Sequence, residues 1–239
     1  MRYLIPLLLA VMILGCVGQE KKVDPKEILK KAENAIAKNF DANATFEMIL
    51  KSPEFRDYTR YDMRIVKIGN STKIFFLNYE YNTTSKYLEE VHRSMKVALK
   101  DAWILDEGSK FYLYTPHLEY MENKVGEYKP SKSLPRYVYL PIVTTIDLAR
   151  NFDKARKVKL YKETKKYYII SYSLEYPTIT FAENAEVKVW ISKRDFMPVK
   201  AEISAKFKNT SIKMVTEANF RIGNVKCDMT LDGLSVVKR

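Results

Sequence analysis

The sequence predicts a mainly β (α+β) domain: a curved antiparallel sheet, an incomplete barrel, with helices over its concave face. Two patterns and one consequence carry that reading. From Thr45 onward, apolar and polar residues alternate with a period of two. Ahead of that pattern stands one segment with helical spacing. A sheet of such length is too broad for two or three helices to cover, so its remaining apolar face must close as a barrel, pack on itself or stay open to a greasy ligand.

The elements follow in order. Asp24-Pro25-Lys26-Glu27 reads as a helix start, with Asp at the N-cap, Pro in the first turn and Glu at the third position. Ile28, Ala32, Ala35 and Ile36 then recur at helical spacing, so residues 25–39 are predicted to form one amphipathic helix. Phe46, Met48 and Leu50 begin the strand pattern, and Tyr61, Met63 and Ile65 continue it. A turn at Gly69-Asn70 leads into "KIFFLNYEY". "AWIL" and "KFYLY" flank the turn Asp106-Glu107-Gly108-Ser109, and "RKVKLYKET" with "KKYYIISYSLEY" makes a further hairpin. Two late strands alternate most cleanly. In one, Val199, Ala201, Ile203, Ala205 and Phe207 oppose Lys200, Glu202, Ser204 and Lys206; in the other, Ile212, Met214, Thr216, Ala218, Phe220 and Ile222 share a face. Such alternation requires one wet and one apolar face, and the whole pattern makes about ten or eleven strands. Residues 128–153 interrupt it with three prolines and a segment, 140–152, that reads as a second helix serving as connection or cover.

The N-terminus fixes an expected compartment. Arg2 precedes the apolar run Leu4–Leu14, which is too short for a membrane span of roughly 20 residues but has the length of a signal peptide. Ile13-Leu14-Gly15-Cys16 then resembles a lipobox, with polar residues at once behind it. The expected organisation is a signal peptide over 1–15, a lipidated tether over 16–24 and a single domain over 25–239. Cys16 would carry the lipid and hold the protein on the outer face of the cytoplasmic membrane. With Cys16 modified, Cys227 has no partner for an intrachain disulfide and is read as a small packed hydrophobe.

Charge and composition narrow the function. The formal net charge is +12, which favours anionic surfaces; outside the cell these are lipid headgroups, and nucleic acid is not expected as a partner. A run of basic residues (Arg150, Lys154, Arg156, Lys157, Lys159, Lys162, Lys165 and Lys166) reads first as the polar face of two strands and second as a surface for anionic lipid. No catalytic motif stands in the chain, so no enzyme, cofactor or metal is expected. His92 in "EEVHRS" and His117 in "TPHLE" are each read as a solvated loop histidine. The pairs Glu89-Glu90 and Asp106-Glu107 carry no glycosidase signal, because neighbours on an element point apart. The triplets at Asn43, Asn70, Asn82 and Asn209 match the N-glycosylation acceptor pattern.

The chain holds 17 tyrosines and 11 phenylalanines. Phe46, Met48, Ile65, Phe75, Leu77, Trp103, Phe111, Leu113, Ile203, Phe207 and Met214 are the candidates to line an apolar cavity, or equally to fill a core. A carrier would show a continuous apolar cavity of several hundred Å³. A scaffold would pack Trp103, Phe75 and Phe207 against neighbours instead.

The blocks "AWILDEGSKFYLYTPHLEYMENKV", with Trp103, Gly108, Tyr114 and Pro116, and "VKVWISKRDFMPVKAEISAKFKNTSIKMVTEANFRIGNV", with Trp190, Asp195 and Pro198, complete the pattern. Lipobox, amphipathic helix and meander in this order resemble the outer-membrane lipoprotein-sorting superfamily, the LolA/LolB type with its broader archaeal and bacterial relatives. The resemblance covers roughly residues 25–224 and implies an incomplete antiparallel barrel whose helices lie over a cavity for acyl chains. The Arg-Pro-x-x-Phe-Arg segment of the carriers is missing; "TKIFFLNYEY" stands there. The expectation is therefore a membrane-anchored extracytoplasmic lipoprotein that binds a lipid or acyl chain. The alternative is an envelope sensor or scaffold with a filled core, acting through protein partners.

Overall fold

The computed structural model describes residues 23–107, 111–114, 155–174, 185–207, 209–227 and 229. Helix α1 (Pro25–Ile36) leads into strand β1 (Phe40–Lys51). Strands β2 (Arg56–Ile68) and β3 (Ser71–Thr83), helix α2 (Lys86–Leu99) and strands β4 (Trp103–Asp106) and β5 (Phe111–Tyr114) follow. The second half is a run of strands: β6 (Arg156–Glu163), β7 (Tyr167–Leu174), β8 (Ala185–Ser192), β9 (Pro198–Phe207) and β10 (Thr210–Ile222).

All ten strands make one antiparallel sheet in the order β5-β4-β3-β2-β1-β10-β9-β8-β7-β6. Each half is a meander, and β1 pairs with β10 from Phe40–Ile222 to Lys51–Ser211 to join them. The sheet is curved and open. Helix α1 enters β1 through a short link yet also packs against β6. That edge strand lies five places from β1, about 24 Å across a flat sheet, whereas a helix of this length spans about 18 Å. The sheet therefore curls toward the helix.

The start of α1 is as the sequence predicts. Asp24 caps it through Lys26 N at 2.9 Å, and Glu27 pairs with Lys31 one turn on, at 3.3 Å. Ile28, Leu29, Ala32, Ala35 and Ile36 are buried. The helix ends at Ile36 rather than residue 39, and buried Lys67 donates from Nζ to Ala37 O at 3.2 Å, taking up a carbonyl left open beyond the last turn. These helix residues share one core cluster with Phe40, Ala42, Ala44 and Phe46 of β1, Met63 and Ile65 of β2, Met214 and Ala218 of β10, and Ile203 of β9. The alternation read from the sequence thus assigns the concave face correctly on these strands. The predicted 140–152 helix lies outside the described residues.

The middle of the basic run is an edge strand; Lys165 and Lys166 stand in the turn after it, and Arg150 and Lys154 lie outside the described residues. Arg156, Lys157, Lys159 and Lys162 of β6 are exposed, and two register shifts interrupt its pairing with β7. Charges and irregular pairing on an open edge keep another chain from adding a strand. Replacing Lys159 and Lys162 together by Val is expected to convert soluble protein into self-associating species. Light scattering on a size-exclusion column reads this, and an unchanged elution mass would count against the edge assignment.

Candidate functional site

The register sorts the predicted lining residues into two groups. Phe46, Met48, Ile65, Ile203 and Met214 share the concave face. Phe46 opposes Tyr61 and Thr216, Ile65 opposes Ala42 and Ile74, and Met214 opposes Met48 and Ile203. Phe75 and Trp103 do not belong with them. They pair with each other across β3 and β4 on the opposite face, where Lys73 Nζ lies 5.6 Å from the Phe75 ring centre and 4.4 Å from that of Trp103. These aromatics form a platform for a cation. Leu77 is not inward either. A register shift between Asp62 and Met63 leaves it as the extra residue of a bulge, 61% exposed. The side chains of Phe111, Leu113 and Phe207 lie outside the described ones. Period-two counting misplaced Phe75, Leu77 and Trp103 because the inserted Leu77 reverses the facing of the β3 residues before it, Phe75 among them, and Trp103 shares the face of its partner Phe75.

At the centre of the concave face the side chains fill the space. Phe46, Met63, Ile65 and Met214 are each less than 2% exposed. Toward the end of the sheet where β1 and β3 finish, cover thins. Met48, Tyr81, Ile212 and Met95 of α2 are half-buried against the same cluster. Helix α2 lies across β3 and is amphipathic, with Ser85 as N-cap accepting from Leu88 N at 3.3 Å. Yet of its 14 residues only His92 and Leu99 are buried, while Tyr87 and Val97 are 74% and 50% exposed.

His92 is therefore no solvated loop residue. It is on a helix, 7% exposed, and it is gripped from two strands. Its Nε2 lies 2.8 Å from Asp57 Oδ1 and its Nδ1 lies 2.5 Å from Tyr79 Oη. In the Nε2–H tautomer the ring donates to the carboxylate and Nδ1 accepts from the Tyr79 hydroxyl. Tyr81 stacks on the imidazole at 4.9 Å, and Tyr61 packs on Tyr79 at 4.8 Å. Burial pushes the Tyr61 phenol up to about 12, against a pull from the Tyr79 hydroxyl. Tyr79 is also raised, first by burial and then by Tyr61. Ser85 at a cap position, with Leu88, Val91, Met95 and Leu99 at helical spacing, was the sequence signal for this element.

A pH expectation follows. The raised phenols hold their protons in the folded chain after an unfolded chain has lost them. Their contribution to stability is whole below pH 10 and is lost as pH rises toward about 12. Denaturant melts from pH 8 to 11.5 should show stability falling above pH 10. A flat profile over that window would overturn the buried placement of Tyr61.

Two concavities formed by described residues lie elsewhere and are polar. One of about 350 Å³ is bounded by Asp41, Asn43, Arg64, Asn219, Phe220 and Arg221. Within it Arg64 makes a two-pronged bond to Asp41 at 3.0 and 2.9 Å. The other, about 630 Å³, lies between two hairpin turns and brings Lys165 and Lys166 beside Lys193 and Arg194. Glu163 and Asp195 pair with Lys193 and Arg194 there, so the charge is partly balanced. Asn43, Asn70, Asn82 and Asn209 are all exposed. Among the described residues no cluster of three metal-ligating side chains occurs, and no helix is long and apolar enough to cross a membrane.

No protein-family profile matches the chain, and no curated protein does. Solved structures similar to it include a LolA superfamily protein from Nitrosomonas europaea, at 14% identity and TM-score 0.33, covering 85% of this chain and 96% of that one. The lipoprotein LppX of Mycobacterium tuberculosis is another, at 8% identity and TM-score 0.40, covering 81% and 93%. A third is the MucA/MucB complex of Pseudomonas aeruginosa, at 8% identity and TM-score 0.41, covering 87% of this chain and 61% of that one. An open antiparallel sheet with helices on its concave face is the arrangement that the sequence resemblance implies, and these distant likenesses carry no argument about a ligand or partner.

Proposed function

We propose that this protein is a lipid-anchored, extracytoplasmic, non-enzymatic binding protein that holds an apolar ligand, a lipid or an acyl chain, against the concave face of its sheet. The observation that carries the reading is the half-covered apolar end formed by Met48, Tyr81, Ile212 and Met95. It is continuous with the core and lies under a helix that buries only His92 and Leu99. An amphipathic helix held so lightly belongs to the class of segments that open at low cost. Native mass spectrometry of the mature protein purified from its own host tests it. An apolar compound should co-purify and be lost in Met48→Glu, a substitution at a half-buried position, with a cooperative urea melt verifying that the variant is folded. A ligand-free wild type that also ignores added lipid would defeat the reading.

The filled centre around Phe46 favours a second reading, an envelope sensor or scaffold that works through protein partners. A lipid-free protein recovered with a stoichiometric protein partner is its signature.

Anchoring is read from Ile13-Leu14-Gly15-Cys16. The mature N-terminus should be Cys16 bearing a diacylglyceryl thioether, and Cys16→Ala should leave the membrane fraction. An unmodified Cys16 in an uncleaved chain would refute the anchor.

A further inference from the structure

The cluster beneath α2 has a chemistry of its own, and it rests on the apolar-ligand reading above. We propose that Asp57, Thr59, Tyr79 and His92 form a head-group site for a neutral, hydrogen-bonding lipid, such as one ending in a glycerol hydroxyl or an ester, reached when α2 lifts.

Asp57, Thr59 and Tyr61 are alternate residues of β2. They face the same side, about 7 Å apart in succession. Thr59 stands between Met48 of β1 and Tyr81 of β3, so its hydroxyl lies where the apolar strip meets the His92 network. Thr59 is 1% exposed and its Oγ1 makes no hydrogen bond. A buried hydroxyl without a partner is left desolvated with nothing gained in return, which destabilises the closed state. A ligand hydroxyl or carbonyl arriving beside it would recover that bond. Releasing α2 also frees the Asp57 carboxylate, the Tyr79 hydroxyl and, on the helix itself, the imidazole. The apolar chains of the ligand would take the strip of Met48, Tyr81, Ile212 and Met95.

Charge selects the head. Asp57 is a buried acid in this cluster, and the hydrogen bonds found among the described residues bring it no lysine or arginine. Tyr61 and Tyr79 already resist becoming anions there, because burial penalises the charged form. A carboxylate or phosphate head would meet the same penalty and the Asp57 charge as well. Four basic side chains, Lys165, Lys166, Lys193 and Arg194, stand together at the opposite end of the sheet; at the near end Lys51 and Arg56 alternate with Leu50 and Asp57 and so face the other side of the sheet.

The test uses the full mature protein and probes with common oleoyl chains: dioleoylglycerol, oleate and dioleoylphosphatidylglycerol, delivered from cyclodextrin and read by native mass spectrometry. Dioleoylglycerol should bind at least tenfold tighter than either anion. Thr59→Val, nearly the same shape but without the unpartnered hydroxyl, should raise the melting temperature and weaken dioleoylglycerol roughly tenfold, the worth of one hydrogen bond. Asp57→Asn, where it folds, should raise the affinity for oleate. Equal binding of the three probes, or Thr59→Val binding like wild type, would overturn the head-group site and leave the apolar-ligand reading in place. Binding of none would overturn both.

Discussion

Phe46→Ala is expected to lower the unfolding free energy by about 3–5 kcal/mol, the range for removing a large aromatic from a closed core. Phe46 has 0% exposure, sits mid-strand in β1 and packs against Tyr61 with ring centres 5.8 Å apart. Its neighbours Ala44 and Ala218 are too small to move into the gap. Domains of this kind are stable by about 5–15 kcal/mol in all, so the loss takes a large share. Urea titration measures it, with the midpoint falling and the slope unchanged. The result also decides between the two roles the sequence left open for this residue. A loss under about 1 kcal/mol would mean Phe46 lines free space rather than filling a core.

The second large effect is at the helix grip. His92→Ala leaves the Asp57 carboxylate and the Tyr79 hydroxyl buried without this partner, at a cost of about 3 kcal/mol. The global melt is not the sensitive readout, because α2 buries so little else. Amide hydrogen exchange is. Amides of residues 88–99 should lose protection ahead of those in β1 and β2. Protection in α2 that matches wild type would show that His92 does not hold the helix.

Much of the fold was legible because the sheet is antiparallel with one wet face. Period-two alternation then reports facing directly, as it did for Ile203, Met214 and Ile65. Asp24-Pro25 announced α1 for an equally local reason, the cap and the first turn. The errors have physical causes. Leu77 occupies a bulge, and a bulge is visible only in the pairing, so Phe75 and Trp103 were assigned to the wrong face. Helix α2 was passed over since its apolar positions are few and one of its two buried side chains is a histidine. The His92 cluster draws on β2, β3 and α2 at positions 57, 79 and 92, and no short motif spans them. Only the register brings them together.

The junction of β1 with β10 has a consequence for synthesis. Every other pairing in the sheet joins strands that are neighbours in sequence, but this one unites residues 40–51 with 211–222. Closing a loop of about 160 residues costs about 2.5 kcal/mol more than closing one of ten. The ribosome delivers the amino terminus first. One side of β1 must therefore wait, its amides and carbonyls unclaimed, until nearly the whole polypeptide has emerged. During that interval the first meander is a sheet with a long, alternating, uncharged-centred border open to any passing strand, its own sister chains included. A truncation ahead of residue 210 would make that vulnerability permanent. The nascent protein is thus most in need of a holding partner while its last dozen strand residues are still to come.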